Sequence, residues 1–504
     1  MPRVAVATSS VLAADAAREI AERGGNAVDC ALAAALVTAN TQPGVCALAG
    51  SMYVTVWRDG EPPVTIDGNV AVPGLGLSAP PRTDSAVAVD MDYGGGITTL
   101  VGSGSIAVPG TVAAVELAAQ RFGALGFEPI WQPSIRATRD GFPLPAACHY
   151  YLEYAGRPIF GRSTAGYRAL FNGDALRPAK STIRLEGLAD SLEAIARDGA
   201  DLFYRGEIAQ RIVDHIADAG GPLTLQDLND YRAIERPALM CESAGWQVAL
   251  NPPPAVGGAV LAAMIRAFGD QPIDTWQQAH VERLVETQSR VLDFRRNQLD
   301  LADDRSAAAT ELLQQSRELL ATWASAATVH TSAVDDDGTG CAVTASAGYG
   351  SGEIPEGTGL WLNNCLGELE LNRRGLRASP PGSRLPSNMA PTVARRDDAI
   401  ISLGSPGADR ITTALHQFMI HAFQRSLPID AAISEPRLHV DMSGDTDRLM
   451  LEPGLTSGSP LSQVRFETPG MYFGGVSAAR WHASDGFDAA SDPRREGGVS
   501  LPAT

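Results

Sequence analysis

Apolar residues recur at helical spacing between Leu12 and Glu22, which predicts an amphipathic helix stopped by Gly24-Gly25. Asn26 can cap a second helix, from Ala27 to about Ala39, which is apolar on nearly every face and so belongs in the interior. The period changes to two over Met52–Trp57, a strand, and Pro63–Asp67 is a candidate for a second. Behind Pro109-Gly110 a helix is expected from Thr111 to about Phe122. The middle, from about Ile130 to Trp323, reads as mainly helical, with clear spacing over Leu188–Ala196, Leu202–Ala217 and Gln277–Gln298. Pro252-Pro253-Pro254 ahead of Gly257-Gly258 predicts a rigid turn running into another apolar helix.

After Ala327 the texture changes. Val329–Val334 alternates, Asp335-Asp336-Asp337-Gly338 is a turn signal, and Cys341–Ser346 alternates again, which predicts a β-hairpin. Further strands are expected at Leu360–Leu362, Thr392–Ala394 and Ala399–Leu403, then a helix from about Ile411 to Arg425. No internal repeat is present. Strands at both ends enclosing helical middles predict an α/β fold of stacked layers, with strands of both halves in shared sheets.

Composition narrows the class. A length of 504 residues gives a prior of about three domains, although α/β sandwiches often run long as one. Hydrophobic residues at 44% and charged residues at 19% supply a large core and exclude a disordered chain. A net charge of −18 and the lack of any Lys/Arg run argue against nucleic acid or an anionic membrane as partner. Cys30, Cys46, Cys148, Cys241, Cys341 and Cys365 lie far apart without a C-x-x-C pair, so reduced, buried thiols are expected. The histidines lack H-E-x-x-H spacing, and no metal or other cofactor is expected. The opening residues have no sustained apolar run before Asp15 and read as the start of a domain, and no clean apolar stretch of ~18 residues exists, so a cytoplasmic location is expected. Gly94-Gly95-Gly96 and Gly102-Ser103-Gly104-Ser105 fit neither a phosphate-binding loop nor a dinucleotide fingerprint, and read as a flexible loop.

Thr328 opens the hairpin as Thr328-Val329-His330-Thr331-Ser332, and alone it would pass for a strand threonine packing its methyl group. Its context differs. Gly24-Gly25-Asn26-Ala27-Val28-Asp29, Val108-Pro109-Gly110-Thr111, Arg139-Asp140-Gly141-Phe142, Phe203-Tyr204-Arg205-Gly206, Asp227-Leu228 with Tyr231, and Pro252–Gly258 precede it. Leu362-Asn363-Asn364, Ser387 with Met389 and Pro391-Thr392, and Gly404-Ser405-Pro406-Gly407 follow it. In this order, across nearly the whole chain, the segments resemble the γ-glutamyltranspeptidase family.

The resemblance implies a four-layer αββα Ntn-hydrolase sandwich and a precursor that cuts itself between Ala327 and Thr328. The products would be a large subunit, 1–327, and a small subunit, 328–504, interwoven in one body. The chemistry is coherent: a hydroxyl is a weak nucleophile at neutral pH, and a freed α-amine of pKa ~7.7–8.0 beside it acts as its base. Ser346, where the family usually has threonine, is implied to hydrogen-bond the nucleophile. Gly407 and Ala408 are implied to present N–H groups to an oxyanion, ahead of a helix. Ser387 and Asn388 match residues that grip the substrate's α-carboxylate, Glu368 one that binds its α-amine, and Cys365 replaces a polar residue beside it. Asn69 stands where the family has an arginine for that carboxylate, and asparagine cannot replace its charge. The expected activity is hydrolysis or transfer of γ-glutamyl groups from small glutathione-type molecules. Alternatives are an acylase for another acyl group, such as a glutaryl or cephalosporin-type side chain, an antibiotic-pathway homologue that cleaves a carbon–carbon bond, and a non-catalytic binding protein on the same fold.

Overall fold

The hairpin that follows Thr328 lies at the centre of the molecule, with strands Val329–Asp335 and Gly340–Ser346. A computed structural model of the chain describes residues 2–77, 81–82, 84–92, 96–316, 328–442 and 446–503. Every residue of both hairpin strands is buried, because both faces of their sheet are covered. The turn signal acts as expected: Gly338 takes φ +76 and Asp335 accepts the N–H groups of Ala27 and Thr339 at 3.0 and 2.8 Å.

Seven strands form the first sheet, in the order Ile234–Pro237, Val64–Gly68, Ser51–Trp57, Gly340–Ser346, Val329–Asp335, Val4–Thr8, Gly498–Ser500. Six form the second: Leu239–Ser243, Trp246–Leu250, Thr392–Arg396, Ala399–Gly404, Ser477–His482, Gly486–Ser491. All neighbours in both sheets are antiparallel, and strands from either side of Thr328 share each sheet. The sheets pack face to face through Ala5, Trp57, Val334 and Ala342 on one and Ala249, Val393, Ile400 and Ala479 on the other. Helices Val11–Glu22 and Ala27–Thr41 cover the outer face of the first sheet, and Val256–Phe268 and Arg410–Met419 that of the second. The layer order is α/β/β/α.

Ala27–Thr41 is buried at every residue, as its all-round apolarity requires. Asn26 caps it by accepting from Val28 and Asp29 N–H, and Asp29 returns a bond to the Asn26 N–H at 3.0 Å. The six cysteines are buried and unbonded to one another.

Several expectations need correction. Leu360–Leu362 is not a strand; Leu362 makes one isolated bridge, to Ala49. Leu202–Ala217 divides into Ala200–Tyr204 and Glu207–Asp218, because the chain breaks its helix at Arg205-Gly206. Gln277–Gln298 is α-helical over Gln278–Phe294 and then widens into a π-turn at Arg295–Leu299. The later helix likewise runs over Arg410–Met419 and ends in a π-turn, Ile420–Gln424. Gly102–Ser105 is not a free loop: Ser103 and Ser105 are buried, and the Gly102 N–H donates to the Ser351 carbonyl at 2.9 Å. Gly94 and Gly95 lie outside the described residues. The helical middle also contains the three strands between Ile234 and Leu250, which tie it into both sheets.

Candidate active site

Pairing of Val329 with Ala345 sets Thr328 opposite Ser346, and Ser346 in turn pairs with Ser51. Three hydroxyl residues thus stand side by side at one end of the first sheet. Gly50 makes this possible, because a Cβ there would run into the Ser346 carbonyl oxygen. The Gly50 carbonyl accepts the N–H groups of Gly110 and Thr111 at 2.8 and 3.2 Å, which brings the Val108–Thr111 segment to the same place.

Alternation puts Thr328, His330 and Ser332 on the face that looks at the second sheet. The His330 ring spans the Thr344 and Ser332 hydroxyls, 2.8 Å from each, and lies against Gly404, where a side chain would collide with it. Burial pushes its pKa down to about 3, so the ring is neutral, with one nitrogen donating and the other accepting between the two hydroxyls.

Past Gly404 the backbone turns sharply. Gly407 has φ +122 and is packed against Gly474, while Ala408, a non-glycine, has φ +71. Neither N–H has a hydrogen-bond partner among the described residues. Asp409, buried immediately afterwards, anchors the turn through Arg410 at 2.7 Å and His439 at 2.9 Å. Burial alone would raise the Asp409 pKa, but these two partners hold it well below the usual carboxylate range. The helix begins only at Arg410, so the free donors sit in a left-handed turn ahead of it, not on its first turn.

Thr328, Ser346 and Ala408 meet in a cleft of about 330 Å³ counted out to open solvent. Ser51, Asn69, Val70, Cys365, Glu368, Leu371 and Pro386–Met389 complete its lining. It therefore gathers Thr328, Ser346, Ala408, Asn69, Cys365, Glu368, Ser387 and Asn388, all named from sequence. Gly407 supports it through the turn. Ala327 lies outside the described residues.

The wall residues differ in how they are occupied. The Asn69 amide donates to the Leu385 carbonyl at 2.7 Å. The Ser387 hydroxyl accepts the Met389 N–H at 3.3 Å. Burial pushes the Glu368 pKa well up, the nearby Glu370 adds to the rise, and a bond from the Cys365 thiol opposes it. Glu370 is pushed up to about 7 by burial, although the Tyr349 hydroxyl donates to it at 2.7 Å. Cys365 itself is pushed well up by burial, so it is a thiol, not a thiolate.

Sequence reasoning missed Ser51, Leu371 and Glu370. Ser51 has no local signal, being brought here only by its register with Ser346. Thr328 also borders a second cleft on its other side, lined by Ser9, Gln42, Val45, Pro145 and Arg495 among others.

A four-layer αββα sandwich that sets a threonine at the head of a central strand, facing a pocket with free backbone donors, is the architecture of the N-terminal-nucleophile hydrolases. The cephalosporin acylase from Bacillus halodurans shares this fold, with a TM-score of 0.81 at 22% identity over 100% of this chain and 96% of that one. The family model for gamma-glutamyltranspeptidase matches residues 13–501, and the chain belongs to that family, as an enzyme of the γ-glutamyltransferase and glutathione hydrolase type. It is 28% identical to the glutathione hydrolase proenzyme of Escherichia coli (strain K12), over 90% of this chain and 83% of that protein. It is also 28% identical to the glutathione hydrolase proenzyme of Pseudomonas aeruginosa, over 98% of this chain and 93% of that protein. Among the described residues no helix is long and apolar enough to cross a membrane.

Proposed function

We propose that the chain is a self-processing amidohydrolase or acyltransferase that uses Thr328 as its N-terminal nucleophile. The observation that carries this reading is the placement of Thr328 between the Ser346 hydroxyl strand and the Gly407–Ala408 turn, at the mouth of one cleft. In the precursor, Thr328 Oγ attacks the carbonyl carbon of residue 327, the peptide C–N bond breaks, and the nitrogen takes up the hydroxyl proton to become the new α-amine. Water then hydrolyses the resulting ester and releases segments 1–327 and 328–504, which remain interwoven through both sheets. The described relatives named as proenzymes are consistent with such processing.

In turnover the α-amine accepts the Oγ proton as Oγ attacks a substrate amide. The oxyanion meets the Gly407 and Ala408 N–H groups, the leaving amine departs with the proton, and water or an amine takes the acyl group. γ-Glutamyl amides of the glutathione type are the default donors. A second reading, an acylase for another acyl group, is favoured by Asn69 in place of an arginine on the pocket wall. Thr328→Ala tests the mechanism: we expect one uncut chain of 52.9 kDa and no turnover, whereas wild type yields two fragments whose smaller one begins at Thr328. Two fragments from the variant would refute the assignment.

A further inference from the structure

The polar atoms of the acyl pocket narrow its donor, an inference that rests on Thr328 being the nucleophile. Among the described residues that line the pocket there is no lysine or arginine. Three arginines of neighbouring segments are engaged elsewhere: Arg236 and Arg384 with Asp67, at 2.8 and 3.4 Å, and Arg410 with Asp409 and the Tyr472 carbonyl. Arg305, Arg373 and Arg374 line a separate cleft that shares only Leu371 with this one. A donor carboxylate would therefore enter beside the carboxyl groups of Glu368 and Glu370, with no cation on the pocket wall among the described residues.

Meanwhile three buried side-chain atoms of the lining residues lack a hydrogen-bond partner among the described residues: Glu368 Oε2, Asn388 Nδ2 and Asn388 Oδ1. Glu368 and Asn388 are each only 4% exposed. The unpartnered Glu368 oxygen is satisfied by an ammonium, which supplies both the donor and the opposite charge that burial otherwise denies this carboxyl group. The asparagine amide presents one donor and one acceptor whichever way it is turned. A carboxylate offers acceptors only, and would leave Oδ1 facing another oxygen. A carboxamide offers one of each and satisfies both atoms.

We infer that the acyl group this enzyme takes carries an amine and, beside it, an uncharged hydrogen-bonding substituent in place of the γ-glutamyl carboxylate. The matching donor is a γ-linked isoglutaminyl amide, in which the α-carboxylate is a carboxamide. Its 4-aminobutanoyl counterpart keeps the amine and lacks the substituent. Glutaryl keeps a carboxylate and lacks the amine, so it is the poorest fit.

Purified wild-type enzyme, shown by mass to be processed, is given isoglutaminyl, 4-aminobutanoyl, γ-glutamyl and glutaryl p-nitroanilides. The expected order of kcat/KM is the order just given, with isoglutaminyl at least tenfold above γ-glutamyl. Asn388→Asp is expected to cut that ratio at least tenfold, and the ratio within one variant is insensitive to how much of it folds. Glu368→Gln is expected to raise KM for the amine-bearing donors at least tenfold more than KM for glutaryl. A processed enzyme that prefers γ-glutamyl or glutaryl, or that turns over neither of the donors lacking a carboxylate, overturns this inference alone. A chain that stays uncut and inert toward all four overturns the nucleophile assignment and this inference with it.

Discussion

Substituting the two residues of the left-handed turn separates its role in catalysis from its role in folding. Ala408 occupies φ +71, which costs an L-residue about 1–2 kcal/mol. Glycine would remove that strain and lose about 0.4–1 kcal/mol through the freer unfolded chain. Ala408→Gly should thus change stability by no more than about 1.6 kcal/mol, keep its N–H in place, and leave kcat within about threefold. Gly407→Ala is different. Its φ of +122 is one that side chains rarely adopt, and the new Cβ would sit 2.7 Å from the Gly474 Cα, a backbone atom that cannot swing aside. The turn must shift, and with it the adjoining donors. Losing one oxyanion donor is worth about 3–4 kcal/mol, roughly 10²–10³ in kcat. The assay follows p-nitroanilide release by processed protein and, separately, the appearance of fragments by intact mass. The reasoning fails if Gly407→Ala turns over within threefold of wild type once processed, or if Ala408→Gly loses a hundredfold.

Ser346→Ala removes the hydroxyl opposite Thr328 and should slow both self-cleavage and turnover by about tenfold, the worth of one hydrogen bond of about 1–1.5 kcal/mol; time courses of fragment formation and kcat would check it, and two unchanged rates would count against the role. His416→Leu addresses pH. His416 is buried, neither ring nitrogen has a partner among the described residues, and burial pushes its pKa down to about 3. Because the folded pKa lies below the unfolded ~6.5, stability linked to this group is full above pH ~6.5 and is lost as pH falls toward the folded value, by about 2 kcal/mol at pH 5. The melting temperature of the variant relative to wild type should therefore be higher at pH 5 than at pH 7.5; a difference independent of pH would refute this.

The legible parts of the protein were those encoded over a few neighbouring residues. The Asn26 cap, the buried Ala27–Thr41 helix, the aspartate-rich hairpin turn and the position of Thr328 at the strand head are all local signals, and the structure keeps each. Harder cases had weak or misleading local patterns. Ile234–Pro237 is an edge strand with mostly exposed side chains, so it carries no apolar alternation. Leu360–Leu362 is apolar enough for a strand yet has no partner strand beside it, only a bridge at its end.

What the chain alone determined, then, is the hairpin and the place of Thr328 at its head, because strand period and turn chemistry act between residues adjacent in sequence. Only the tertiary structure decided what Thr328 faces. Ser51, Asn69, Glu368, Asn388 and Ala408 reach one cleft from separate segments of the chain, and whether a charge there is paired or a polar atom is left free depends on which segments pack together. Burial and electrostatic pairing are properties of that packing, and no period in the sequence reports them.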